Sequence, residues 1–469
     1  MPRSHTGLNE TTLSAATPRF LWLGRVAERV AQATFALYLI LLLGTNSVVA
    51  AGGPLSWLPL WRLPAAGGAW VPVGVVSILP VVSVAAWLLQ RQQTGRLRSL
   101  TWGWGRILLP LALLAALALA RVAGPCFAGA CDLTRILRLL LLIGQGLWVY
   151  LYVINERPDL LWPLAAIIVL QAGAAVGQFV AQRDLGLGFL GEPALDPAVR
   201  GISVVMRGPE RWLRGYGLTN HPNTTAGTLV SIVLMLPFYV GAARRRQALV
   251  GAVLLLGVAG VLATLARWAL ACLLVGLSIH ALPWLRALAH GWRPSRRLLL
   301  AGAVLLVAGA VGLGIYGDAV LGRTTTGTPI ESRSLWERER DIGIAWQLLT
   351  ARPWTGVGLD NYIAAARVGD AWAEVVHNVP LLLGAELGVA GMLLWLWLLL
   401  APVWRRGAFS RFAPQTALWL GFWLLGLFYP APHPFLELRS ALLAGLVVAL
   451  VAPGSARQGF SVIGHGTPT

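Results

Sequence analysis

Lysine is absent from this 469-residue chain, so all 37 cationic side chains are arginine, set against 19 Asp and Glu. Charge of either sign is scarce, at 12% of residues, and that shortage excludes the two or three soluble domains the length alone would suggest. Three cysteines cannot staple a disulfide scaffold. No paired CxxC or HExxH spacing offers a metal site, and no P-loop or Asp-x-Asp pair points to a nucleotide or nucleotide sugar, so neither metal nor cofactor is expected. Residues 1–20 lack an apolar core segment, which argues against a cleavable signal peptide. The net charge of +18 has no soluble basic domain to carry it, which excludes nucleic acid as a partner.

What is present is hydrocarbon-soluble. The chain is 57% hydrophobic with a mean hydropathy of +0.69. Apolar runs of about 17–25 residues recur along its length, enough to cross a ~30 Å hydrocarbon layer as helices. A chain in lipid must satisfy its own backbone, so the expected class is all-α: a polytopic integral membrane protein, one domain over 1–469. The 22 Trp suit interfacial belts among membrane lipids. The runs predict about twelve spans, near 30–51, 70–90, 106–121, 134–154, 159–181, 224–241, 247–264, 267–285, 297–316, 377–402, 414–430 and 437–452. With twelve spans, the arginines of the N-terminal segment and of the loops after spans two, six, eight and ten all fall on one side, together with both termini; that side is expected to be cytoplasmic. The other side receives two long loops, 182–223 and 317–376, and the short loop holding Cys126 and Cys131, where a disulfide is plausible. Within the second loop, 332–349 has the pattern of an amphipathic helix suited to an interface.

The polar exceptions carry the functional argument. Leu213 to Asn223 is glycine-rich and cationic and directly precedes an apolar run. Arg214 reads either as a snorkelling side chain at a helix start or as a phosphate clamp, with Gly215 and Gly217 giving flexibility and the helix N-terminus favouring an anion. His221 reads as part of the helix entry and Asn223 as its N-cap. Arg267 sits between two apolar runs, where a cation near hydrocarbon is a functional candidate. The long loops concentrate further arginines, Arg333 and Arg338 among them, on the side that usually lacks cations, which favours an anion site. His377 and Asn378 open the tenth run, as a helix cap or as a general base with its neighbour. Glu386, nine residues on, is a carboxylate inside an apolar run; it needs a partner there or is a second base. Glu437 and Arg439 read as helix capping or a salt bridge.

Four of these pieces together resemble the O-antigen ligase and polymerase superfamily of bacterial envelope glycosyltransferases. Arg214-x3-Leu218 extended through His221-Pro222-Asn223 resembles its first outer-loop motif. Arg267 resembles the arginine before its next span, with Ala266 where the superfamily usually has Ser. Pro353, Gly356, Gly358 and Asn361 resemble its Pro-x2-Gly-x-Gly segment. His377-Asn378, nine residues, Gly388, two residues and Gly391 match its ligase-type spacing. The resemblance implies a multi-pass protein of the bacterial cytoplasmic (inner) membrane whose long loops and active site are periplasmic. It implies transfer of a glycan from undecaprenyl pyrophosphate to a hydroxyl of lipid A-core or a comparable envelope acceptor, inverting and without metal. Arg214 and Arg267 would neutralise the pyrophosphate, His377 would take the hydroxyl proton, and Asn378 would orient ring or substrate. Polymerisation of lipid-linked repeats and protein O-glycosylation are alternatives within the same superfamily; transport of a lipid-linked glycan is one outside it.

Overall fold

A computed structural model describes residues 18–45, 61–64, 70–73, 75–103, 105–123, 133–207, 209–291, 314, 317, 329–401, 413–428 and 438–452. The ninth predicted span, the start of the second long loop, Cys126, Cys131 and Glu437 lie outside these residues. The described chain is mostly helical, with fourteen α-helices. They are α1 (Pro18–Gly44), α2 (Val75–Gln93), α3 (Gly105–Ala123), α4 (Leu133–Glu156), α5 (Leu161–Ala181), α6 (Pro222–Met235), α7 (Arg244–Ala263), α8 (Arg267–Ala289), α9 (Pro329–Ala351), α10 (Tyr362–Gly369), α11 (Val379–Leu387), α12 (Val389–Leu400), α13 (Ala413–Phe428) and α14 (Leu438–Val451). Among the described residues, five stretches can cross a membrane by length and composition: 22–44, 105–123, 135–156, 161–181 and 244–264. Shorter apolar helices cover 267–282, 389–398 and 438–451.

The fold agrees with the all-α expectation, with two short antiparallel hairpins beside the helices, β1 (Trp61–Pro64) with β2 (Trp70–Val73), and β3 (Val204–Arg207) with β4 (Glu210–Leu213). The first takes the opening residues of the run predicted as a span from 70. The second lies in the first long loop, which also holds a 3-10 turn at Gly188–Leu190. Val204 and Val205 favour a pleated strand, Pro209 sits in the turn, and the Arg207 guanidinium closes the hairpin 4.4 Å over the Trp212 ring.

Most helices share one continuous core, in which α1 packs on α2, α4 on α14, α5 on α7 and α8 on α13. The α4–α14 pair is close because both faces are small: a Cβ at Gly445 would lie 2.5 Å from the Gly146 carbonyl oxygen. At one end Arg91 and Glu156, 2.6 Å apart, tie α2 to α4, with the Trp87 indole donating to the same carboxylate. At the other end of α1, buried Arg439 of α14 donates to the carbonyls of Leu42 and Thr45, so its capping is of α1 rather than of its own helix. A second, smaller core of Ala345, Leu349, Tyr362, Ala366, Val376 and Leu382 joins α9 and α10 to α11. The amphipathic segment predicted at 332–349 is thus helical within α9.

The run predicted as a single span over 377–402 is two helices. Gly388 has φ 79° and ψ −176°, a conformation open to glycine, and the helix stops there. The break is filled by the Pro353–Asn361 segment. Val357 N–H donates to the Ala385 carbonyl and Gly358 N–H to that of Glu386, while Val389 N–H at the start of α12 donates to the Pro353 carbonyl. A helix interrupted amid apolar residues frees backbone groups on both sides, and this segment satisfies them from outside the helix.

Candidate active site

The Arg214 region is built on α5. Gln171 and Gln178, fully buried and seven residues apart on one face, replace backbone partners for the loop. Gln171 Oε1 accepts from Leu218 N–H, Gln178 Oε1 from Tyr216 N–H, and Gln178 Nε2 donates to the Gly217 carbonyl. Gly215 and Gly217 make this contact possible. A Cβ at Gly215 would lie 2.6 Å from the Ala175 carbonyl oxygen, and one at Gly217, where φ is 58°, 2.6 Å from Gln171 Oε1. Both glycines therefore serve a close approach to α5.

Arg214 is 2% exposed. Its Nε donates to the Thr264 carbonyl (2.7 Å), Nη1 to Ser203 Oγ (2.7 Å) and Nη2 to Asn223 Oδ1 (2.8 Å). One guanidinium thus joins the hairpin, the end of α7 and the start of α6. The cap of α6 is His221 and not Asn223, a correction with a clear cause: His221 Nδ1 accepts from Asn223 N–H, Pro222 takes the first helical position, and the Asn223 oxygen is turned to Arg214. The carbonyl that receives Arg214 belongs to the turn between α7 and α8. There Leu265 is held at φ 49°, unusual for a branched side chain, by packing with Phe179 and Val205. Half-buried Arg267 begins α8 directly after it, and Ala266 is buried.

His377 stands in the turn before α11, between the two cores: Val376 packs into the smaller, Val379 into the larger. Asn378 caps α11, its Oδ1 accepting from Leu381 N–H at 3.0 Å. The His377 ring is half-buried and its Nδ1, buried, has no hydrogen-bond partner. Burial first, then the nearby Arg338 guanidinium, pushes its pKa down to about 4, against a smaller opposing pull from Glu337. The imidazole is therefore neutral at pH 7. Arg338 and His377, both candidates from sequence, are neighbours.

The remaining candidates divide. Glu386 is 1% exposed and its Oε1 accepts from Tyr362 N–H at the start of α10. Asn361 accepts from Arg135 Nη1 (2.9 Å), and the Trp354 carbonyl accepts from Arg121 Nη2 (3.1 Å), so α3 and α4 grip the segment that fills the α11–α12 break. Arg333 points outward, 78% exposed, paired with Glu337. Sequence reasoning missed Gln171, Gln178, Arg121 and Arg135; the glutamines had a usable signal, two amides one heptad apart in an apolar run.

Between α3, α4, α6, α12, α13 and α14 lies a cavity of about 620 Å³. Thr224 and Val379, from the first turns of α6 and α11, line it, as do Leu108 and Leu119 of α3, about 16 Å apart along that helix. Thr228 and Ser231 also face it, but each hydroxyl donates to a carbonyl one turn back, so the lining is effectively apolar.

The family model described as O-antigen ligase matches residues 251–396, from α7 through α12. Over those residues the chain is similar to the O-antigen ligase family. No curated protein sequence matches the chain. The matched region contains Arg267, Arg338, His377, Asn378 and Glu386; Arg214 to Asn223 precede it. The described helices include several long and apolar enough to cross a membrane, as a multi-pass membrane protein requires.

Proposed function

We propose that this chain is an O-antigen-ligase-like enzyme that transfers a glycan from a prenyl pyrophosphate carrier, undecaprenyl pyrophosphate, to an acceptor hydroxyl of lipid A-core or a comparable envelope glycan, on the periplasmic side of the inner membrane. The observation that supports this most is His377: a neutral imidazole with a buried, unpartnered nitrogen, two residues before Val379, which lines an apolar cavity. A base must be unprotonated and within reach of the proton it takes, and a neutral ring with an unpartnered nitrogen meets the first condition.

In this reading the cavity takes part of the isoprenoid chain, which sets the pyrophosphate near the first turns of α6 and α11. His377 accepts the proton as the acceptor oxygen attacks the anomeric carbon. The bond from that carbon to the pyrophosphate oxygen breaks on the opposite face, so configuration inverts, and the pyrophosphate leaves with the carrier. Charge gathering on the leaving group is met by Arg338 and by Arg267, whose place at the start of α8 adds the positive end of a helix. Asn378 fixes the turn that carries His377. We assign Arg214 to positioning: it holds Asn223 and the α7–α8 turn, and through that turn the start of α8. No step requires a metal or nucleotide.

The test is transfer by purified protein from lipid-linked glycan to lipid A-core in the presence of a chelator. Labelled lipid A-core is the expected product. Extension of the lipid-linked repeat instead would make the protein a polymerase, and loss of all transfer in chelator would contradict the metal-free chemistry.

A further inference from the structure

A net of polar contacts lies directly ahead of His377, and its central pair, Arg340 and Asp341, has no part in the proposed chemistry. Arg340 on α9 donates to Asp341 Oδ1 through Nε (3.1 Å) and Nη2 (2.8 Å). Nη2 also donates to the Trp372 carbonyl (2.8 Å), and Nε lies 3.4 Å from Asp370 Oδ2. Asp341, 3% exposed, accepts as well from Glu374 N–H (3.4 Å). Its carbonyl receives the Tyr362 hydroxyl, whose own N–H reaches Glu386. Arg367 adds Nε to the Ala373 carbonyl and pairs with Glu374 at 3.6 Å.

Adjacent residues on a helix ordinarily point about 100° apart. Here Arg340 and Asp341 turn toward each other because the 370–374 turn supplies both with partners. That turn runs into His377, and Arg338 is three residues before Asp341 on α9. We infer that the Arg340–Asp341 pair is a positioning pair, which fastens the 370–374 turn to α9 and thereby fixes Arg338 beside His377. Its effect on transfer rests on the proposed function; its effect on geometry does not. The charged groups that act on the ring are Arg338 and Glu337 of α9, while Glu374, Arg340, Asp341, Arg367 and Asp370 pair within the net.

The experiment follows the His377 imidazole by NMR titration of full-length, histidine-labelled protein in nanodiscs, the signal assigned by its loss in His377→Gln. Transfer kinetics are measured alongside. Wild type should titrate near pH 4. Asp341→Asn and Arg340→Met should each raise the midpoint by about 1 pH unit as Arg338 swings away. They should also lower kcat about tenfold with KM for the lipid-linked donor unchanged within about twofold. Arg340→Lys, which keeps the pair's charge, should restore the wild-type midpoint. If Asp341→Asn does not fold, Arg340→Met and Asp370→Asn carry the test. An unchanged midpoint in a folded variant, whatever its activity, overturns the proposal. A raised midpoint with undiminished transfer leaves the pair standing and removes His377 as the base. A raised midpoint with no transfer by wild type leaves the pair standing and removes the proposed function.

Discussion

Arg214 and His377 precede two helices, α6 and α11, whose first turns line the same cavity, yet they are treated in opposite ways. Arg214 is enclosed and saturated, donating to three separate segments. His377 is partly enclosed and leaves its buried nitrogen unpaired. A buried guanidinium with partners on three elements is a joint, and its loss strands acceptors that water cannot reach. A half-buried imidazole whose buried Nδ1 lacks a partner gives up stability, and in the proposed function that nitrogen is the one kept for the acceptor. The difference separates two roles that the sequence, showing two polar motifs before apolar runs, presents as alike.

Several substitutions sharpen this contrast. Arg214→Met should be the most damaging to stability, by about 4 kcal/mol, since it leaves the Thr264 carbonyl and the Asn223 oxygen without their donor. It is read as a lowered thermal unfolding midpoint of the detergent-solubilised protein, and wild-type stability with impaired transfer would return Arg214 to the substrate. Gly388→Ala should cost on the order of 3 kcal/mol, from a positive φ and from a Cβ 2.6 Å from the Pro353 carbonyl oxygen. Release of the Pro353–Asn361 segment should appear as faster amide exchange at Val357 and Gly358. The pH dependence bears on His377 itself. Its folded pKa is lowered from 6.5 to about 4, so the neutral form persists through mildly acidic pH. Transfer should stay level down to about pH 5 and fall about tenfold per unit below about pH 4. The same shift makes stability fall between about pH 6.5 and about pH 4, where the unfolded chain gains a proton that the folded one refuses. A rate limb near 6.5 would contradict the buried setting. Smallest of all, Arg333→Gln should change neither unfolding midpoint nor transfer, because that ion pair is largely solvated.

The polar punctuation of the chain was legible where a single residue type settles the matter. Apolar runs located most described helices within a few residues, since membrane spans need little beyond hydrocarbon length. Pro222 and His221 announced the start of α6. What failed to show was anything requiring a partner distant in sequence. The run through 377–402 is apolar on both sides of Gly388, and the break becomes intelligible only when residues 353–361 are seen filling it. Arg214 was conspicuous, but nothing local told that Thr264, fifty residues on, receives it. Gln171 and Gln178 passed unnoticed because hydropathy averages over two amides in a span, though their heptad spacing put both on the face that holds the loop. The β3–β4 hairpin was hidden by the strength of the helical signal around it.

The most direct measurement is the transfer rate of His377→Gln beside that of wild type, with lipid-linked glycan and acceptor saturating and unfolding midpoints recorded for both. Glutamine keeps size and polarity but cannot accept and hold a proton. The rate should fall by about 10²–10⁴-fold with the unfolding midpoint preserved or raised, since the unpartnered ring contributes nothing to the fold's hydrogen bonding. Transfer at the wild-type rate would contradict the account, and the unpaired nitrogen beside Arg338 would then need another explanation.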